Sequence, residues 1–109
     1  MKSDRGLKAF YTWANRRYFK SRLPPDAVLV YNTLRRRTAM SHYFDCGLAV
    51  IEVSKAIRAI GWKHVAMEVL HEMAHVSVIL SDTPRGVHGK NFQREMKRLA
   101  AAGAFEKYW

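Results

Sequence analysis

Residues 62–80 have the sequence WKHVAMEVLHEMAHVSVIL, and the rest of the chain is best understood from this segment. Apolar residues occupy every side of its helical projection, which predicts a helix that is buried on all sides. Its second half contains His71-Glu72-Met73-Ala74-His75. Unpaired His and Glu side chains in an apolar helix would cost several kcal/mol, so the segment predicts a shared partner, and a metal ion is the simplest one.

The pentapeptide has the pattern H-E-x-x-H, which suits a catalytic zinc ion. His71 and His75 lie one turn apart on the same face of a helix, so both imidazoles can reach one ion. Glu72 is rotated by about 100° from His71, beside the ion rather than bound to it. From there it can take a proton from a zinc-bound water whose pKa is about 7. We therefore predict one catalytic Zn²⁺ ion, with Glu72 as its general base.

A catalytic zinc ion of this kind needs a third protein ligand and an open position for water. The candidates downstream are Asp82, His88 and Glu95. His88 is favoured, because it lies between a loop and the last predicted helix, and the glycine after it allows a close backbone approach. Glu95 has basic neighbours on its own helix, so we expect it to form a surface salt bridge instead.

The pattern along the chain predicts one α+β domain over residues 1–109. Its fold class is an N-terminal helix, a small three-stranded antiparallel sheet, the buried metal-binding helix and a C-terminal helix. Ser3 or Asp4 can cap the first helix, and Asp45-Cys46-Gly47 can form the turn between the second and third strands. The predicted helices are 4–20, 55–60, 62–80 and 90–102, and the predicted strands are 27–32, 37–44 and 48–53.

Composition excludes several classes of protein. The 109 residues include a single cysteine, Cys46, so an internal disulfide framework and a zinc ribbon built from several cysteines are excluded. No apolar run approaches the length of a membrane span, and residues 1–4 show no signal peptide. We expect a soluble, monomeric, intracellular protein, cytoplasmic or in the nucleoid or nucleus, that is not secreted and has no membrane partner.

The charge predicts a polyanionic partner. The net charge is +10, and residues 1–37 contain ten Lys or Arg against two acidic residues, a net of +8. Such a partner is most often nucleic acid, bound without sequence specificity and in a salt-sensitive way, and the alternative is a solvated basic surface that aids solubility. Trp13 and Trp62 could stack on bases, although core packing is the more expected role for both. The candidate nucleic-acid-binding residues are Arg16, Arg17, Lys20, Arg22, Arg35, Arg36, Arg37, Lys90, Arg94, Lys97 and Arg98.

The chain resembles the SprT-like (Spartan-type) family of zinc metallopeptidases. The family's motif is H-E-x-x-H, a loop and then H-G-x-x-F, which matches the pentapeptide and His88-Gly89-Lys90-Asn91-Phe92. The family's opening helix and turn, N-x-x-Y/F-F followed by L-P, resemble Asn15, Tyr18-Phe19 and Leu23-Pro24-Pro25. Ile51-Glu52-Val53-Ser54 is similar to the strand end that precedes the metal helix. The resemblance covers about residues 7–100.

This resemblance implies a minimal zincin-like domain with His71, His75 and His88 as the zinc ligands and Glu72 as the general base. It also implies hydrolysis of peptide bonds, which in the best-known members is directed at proteins on DNA or crosslinked to it, as a step in DNA repair. With the basic surface, the resemblance implies non-specific binding of DNA, single-stranded or damaged. Many relatives carry a C-terminal zinc ribbon or DNA-binding extension, for which the single cysteine of this chain is too few.

Two functions follow as hypotheses. The first is a zinc endopeptidase that acts on DNA-associated proteins. The second is a zinc-stabilised, non-catalytic module that binds nucleic acid or a partner. Glu72 favours the first, because a structural zinc site does not need a carboxylate beside the ion. For the first, we expect an extended protein substrate that adds a strand to an exposed sheet edge, such as residues 48–53.

Overall fold

The computed structural model describes residues 2–81 and 89–106, and they form the predicted α+β fold. Two of the predicted helices, the short one and the metal-binding one, have the predicted bounds, and the other elements differ by a few residues at their ends. In chain order the elements are α1 (Arg5–Tyr18), β1 (Val28–Asn32), β2 (Ala39–Tyr43), β3 (Ala49–Ser54), α2 (Lys55–Ile60), α3 (Trp62–Leu80) and α4 (Lys90–Ala101).

The sheet is mixed, so the prediction of an antiparallel sheet is wrong for one of its two strand pairs. The strand order is β1-β3-β2, with β3 antiparallel to β2 and parallel to β1. A tight turn at Gly47, where φ is 91°, places β3 directly beside β2. The connection between β1 and β2 instead keeps these two strands apart by the width of one strand, and β3 lies between them. The alternation of apolar and polar residues along a strand indicates which face of the strand is buried, but it does not indicate which strand lies beside it.

Strand β3 is therefore the centre of the sheet, and α3 is the centre of the domain. Ala49, Ile51 and Val53 of β3 are fully buried, while the alternate residues Val50 and Glu52 are half-buried on the opposite face. Helix α3 packs against β2, β3 and the three other helices. Its middle is largely buried, but its ends are exposed: Trp62 keeps 47% of its surface and Ile79 keeps 50%. The expectation of burial on all sides is thus wrong for the two ends, and in the middle one face, which carries His71 and His75, is only half-buried.

The N-terminal segment caps α1 and covers part of the outer edge of β1. Asp4 is the N-cap, and its carboxylate accepts a hydrogen bond of 3.0 Å from the amide of Leu7. The backbone amide of Asp4 donates to the carbonyl of Leu29, whose own amide donates to the Ser3 hydroxyl. Of the two predicted cap residues, Asp4 caps the helix and Ser3 instead pairs with β1. Strand β2 is the other edge of the sheet, and α3 packs against it.

Asn15 organises the turn between α1 and β1. The side chain is 5% exposed, and its amide donates to the carbonyl of Leu23 while its oxygen accepts from the Leu23 amide. The Asn15 carbonyl accepts from the amides of Phe19 and Ser21, which holds a turn in which Lys20 and Ser21 both have positive φ. The side chain of Asn15 thus pairs both backbone polar groups of Leu23, and its backbone carbonyl holds the turn between them.

Replacing Asn15 with Ala should destabilise the domain. The substitution leaves the amide and carbonyl of Leu23 buried without their partners, which costs about 1–3 kcal/mol. Thermal and urea unfolding would measure the change. Thr12→Ala, an exposed substitution on the same helix, is the matched control and should change the free energy of unfolding by less than about 0.5 kcal/mol. Equal stability of the two variants would contradict the assignment.

Candidate metal centre

His71 and His75 converge on one point above the middle of α3. Their Nε2 atoms are 3.2 Å apart, and both side chains are half-buried. The helical spacing of four residues places the rings on one face, and their planes meet at 71°. Two imidazole nitrogens at this distance, on a helix whose neighbouring residues are buried, are close enough to contact one and the same metal ion.

The donor set fits a zinc ion. A tetrahedral zinc ion with Zn–N bonds of about 2.0–2.1 Å requires two ligand nitrogens roughly 3.3 Å apart, close to the separation of the two Nε2 atoms. Within the described ranges, His71, Glu72 and His75 form a group whose ligand atoms all lie within 4.8 Å of one another. The geometry therefore suits two histidine ligands with a carboxylate beside them.

Phe92 of α4 packs against both imidazoles. Its ring is stacked on His75 with centroids 4.1 Å apart and planes at 16°, and it meets His71 edge to face at 5.0 Å. With an exposure of 4%, Phe92 has little freedom to move, so it restricts the rotamers of both histidines. In the sequence Phe92 was only part of the H-G-x-x-F match and of an apolar helix face. Its contact with the histidines depends on how α4 crosses α3.

Glu72 points toward the sheet, where it is 6% exposed. Burial is the main cause that raises the pKa of the Glu72 carboxyl above its usual range. A hydrogen bond with the side chain of Ser41, on the edge strand β2, opposes this shift. The sequence did not indicate Ser41, because its place beside Glu72 depends on which strand lies at the edge.

Other charges act on the same carboxyl. Glu68, one turn earlier on α3, raises the pKa of Glu72, and Arg37 and His42 lower it. Arg37, a predicted nucleic-acid-binding residue, therefore lies close enough to influence the site. His42 is paired with Glu52 at 2.9 Å between Nε2 and Oε2, and the hydrogen bonds of Glu52 with Asn32 and His42 lower the pKa of Glu52.

The family model for the SprT-like family matches residues 7–107. The chain belongs to the SprT-like family. Comparison with curated proteins finds no match. Among solved structures, the crystal structure of the metallopeptidase zymogen of Pyrococcus abyssi abylysin is similar, with a TM-score of 0.57 and 19% sequence identity. The similarity covers 93% of this chain and 89% of that one, and it shows a shared metallopeptidase-like fold.

The predicted third ligand of this SprT-like chain, His88, lies outside the described residues, as does Asp82. Glu95 is described, and it does not join the histidine pair. Its carboxylate accepts hydrogen bonds from Ser77 and Arg98. Burial alone would raise the pKa of Glu95, but these hydrogen bonds and the charges of Arg98 and Arg22 lower it below its usual value. The predicted salt bridge is present, although the Glu95 side chain is 12% exposed and so is not a surface group.

The predicted basic residues form more than one surface. Arg22 from the turn after α1 lies with Arg94 and Arg98 along a groove of about 620 Å³ between that turn, α3 and α4. Arg94 also lines a second groove, of about 540 Å³, with Lys90 and Lys97. Basic residues from two segments far apart in the sequence, the turn after α1 and helix α4, therefore lie along the same groove. Arg16, Arg17 and Lys20 lie at the end of α1, and Arg35, Arg36 and Arg37 lie in the connection between β1 and β2.

Two further findings concern membranes and the sheet edge. No helix within residues 2–81 and 89–106 combines the length and hydropathy needed to cross a membrane.

The predicted edge at residues 48–53 is wrong, because that segment is the central strand β3, paired on both sides. A segment rich in Val and Ile is typical of a strand with two neighbours, and the edge beside the metal centre is β2.

Removing one histidine should strongly weaken zinc binding. His75→Ala should weaken zinc binding by more than the roughly 10- to 100-fold that loss of an outer-shell partner costs, because a ligand atom itself is lost. Isothermal titration with Zn²⁺ would measure the affinity. His64→Ala is the matched control, since His64 is an exposed histidine on the same helix. Retained affinity in His75→Ala, or equal loss in His64→Ala, would contradict the assignment.

Proposed function

We propose that this chain is a zinc-dependent endopeptidase that hydrolyses proteins associated with DNA or crosslinked to it. The observation that supports it most is the pair of Nε2 atoms 3.2 Å apart with a buried carboxylate beside them. A structural zinc site uses four protein ligands and has no need of such a carboxylate. Membership of the SprT-like family and the fold shared with a metallopeptidase agree with this proposal.

The chemistry follows from the side chains. His71, His75 and the predicted third ligand His88 would hold the ion, which when bound polarises the scissile carbonyl and increases the acidity of water. Glu72 lies beside that position, where it takes the proton of the attacking water and returns it to the leaving amine. The low exposure of Glu72 keeps bulk water from competing for that proton, and the hydrogen bond with Ser41 orients the carboxylate.

Strand β2 is the element that would align the substrate. An extended peptide can pair with an exposed edge strand through backbone hydrogen bonds. Ser41 belongs to β2 and contacts Glu72, so a peptide paired with this edge passes close to the general base. This arrangement replaces the pairing with residues 48–53 that the sequence suggested.

Glu72→Gln should abolish peptide hydrolysis and leave the fold and zinc binding intact. The amide cannot accept the proton, and loss of a general base lowers kcat about 10²–10⁴-fold. Cleavage of a DNA-binding protein, and of the chain itself, would be followed with and without single-stranded DNA. Glu106→Gln, an exposed change of the same kind, should cleave as the unaltered chain does.

Three results would count against this mechanism. Full activity in Glu72→Gln would remove the proposed general base. Binding of zinc and DNA without cleavage under any condition would support the non-catalytic binding module instead. Absence of zinc binding would contradict both functions.

The association with DNA is supported by the basic grooves along α4. Arg94 and Lys97 are exposed on this helix and line the second groove, so their replacement with Gln should weaken DNA binding at low salt for any sequence. The slope of log K against log salt should fall by roughly 0.9 per lost phosphate contact on duplex DNA. Lys55→Gln, an exposed change at the start of α2, is the control. An unchanged slope in the double variant would place the binding surface elsewhere.

A further inference from the structure

Four aromatic side chains form a continuous row across α1 and the start of α3. Tyr18 meets Trp13 edge to face with centroids 5.6 Å apart, and Trp13 lies 5.9 Å from Phe10. Phe10 in turn meets Trp62 edge to face at 5.6 Å. We call these four residues the aromatic row. Trp13 and Trp62 are distant in the sequence, yet a single ring separates their indoles in the folded chain.

The two indoles of the aromatic row are only partly used by the fold. Phe10 is 8% exposed and belongs to the core, but Trp13 is 37% exposed and Trp62 is 47% exposed. Core packing, the role expected from the sequence, therefore accounts for one side of each indole. Large apolar side chains that stay in water and lie together are characteristic of a binding surface.

The surroundings of the aromatic row are positively charged. Residues 5–25 contain six Lys or Arg and no acidic residue, and residues 53–67 contain three and none. Arg17 follows Trp13 by one helical turn, so both lie on the same side of α1. Arg16, Arg17 and Lys63 are exposed. Exposed indoles bordered by cations, on two segments that contain no carboxylate, are complementary to a polyanion whose groups are planar.

We propose that the aromatic row binds single-stranded nucleic acid, with unpaired bases stacked on Trp13 and Trp62 and phosphates against the neighbouring Arg16, Arg17 and Lys63. Stacking requires a free base face, which single strands offer and duplexes keep inside the helix. This inference deepens the proposed function, on whose DNA association it rests, by naming the form of nucleic acid and the surface that holds it.

The position of the row connects strand binding to the metal centre. Trp62 and His71 lie on the same helix, nine residues apart, which is about 14 Å along the helix axis. A strand stacked on Trp62 would hold an attached protein at a fixed, short distance from Glu72. Helix α3 would then set the distance between the nucleic acid and the bond to be cleaved.

The test compares a fluorescein-labelled oligodeoxythymidine with a duplex of the same length by fluorescence anisotropy. Trp13→Ala and Trp62→Ala should each weaken binding of the single strand about tenfold or more and leave duplex binding unchanged. Trp13→Phe and Trp62→Phe should retain most of the affinity, because a ring remains. Phe44→Ala is the matched control, since Phe44 is an aromatic residue 48% exposed outside the row.

A second arm separates stacking from charge. The double variant Arg16→Gln, Arg17→Gln should lower the salt slope of single-strand binding by roughly 0.7 per residue, whereas the Trp variants should leave the slope unchanged. A third arm follows the emission of the two indoles themselves. With Trp109→Phe, the remaining indole emission comes from Trp13 and Trp62 and should be quenched by oligodeoxythymidine.

Three results would overturn the inference. The first is that folded Trp13→Ala and Trp62→Ala bind the single strand as tightly as the unaltered chain. The second is that these variants lose affinity equally for the single strand and the duplex. The third is that oligodeoxythymidine does not quench the indole emission of Trp109→Phe. The Glu72→Gln variant should bind the single strand as tightly as the unaltered chain. Intact strand binding without peptidase activity would therefore contradict only the catalytic part of the proposed function, so the two failures are distinguishable.

Discussion

The architecture depends on placing two imidazoles and a carboxylate inside an otherwise apolar helix. The middle of α3 provides the centre of the core, with Leu70, Met73 and Ala74 fully buried around the site. Polar groups in such a setting destabilise the fold unless each has a partner. The Nε2 atoms that face each other and the hydrogen bond between Ser41 and Glu72 meet this requirement within the chain, and a bound cation would complete it.

Two other elements that the structure describes pack against α3 and contact the candidate site. Helix α4 supplies Phe92, whose ring stacks on one histidine and meets the other edge to face. Strand β2 supplies Ser41 against Glu72. Helix α4 thus restrains the proposed metal ligands, and the edge strand β2 restrains the proposed general base. Phe92 and Ser41 each belong to a regular element, so their positions beside the site are set by a rigid backbone.

The positive charge of the chain is not spread evenly over the folded surface. Arg22, Arg94 and Arg98 share a groove beside α3, while Arg37 acts on the carboxyl of Glu72 itself. Residues that look alike in the sequence therefore differ in role once folded. Arg98, for example, pairs with Glu95 and lies over the ring of Phe19, so part of its charge is already committed within the chain.

The spacing of polar and apolar residues was enough to predict what depends on local geometry. The bounds of α3, the shared face of His71 and His75, and the ion pair of Glu95 follow from the helical repeat, which acts over a few residues. The order of the strands does not follow from it, because alternation specifies a face and not a neighbour. Only the folded chain therefore placed β3 at the centre, brought Ser41 to Glu72 and Phe92 to the histidines, and joined Trp13 to Trp62. Each of these contacts links residues far apart in sequence, and such contacts depend on how whole elements pack rather than on the pattern within any one of them.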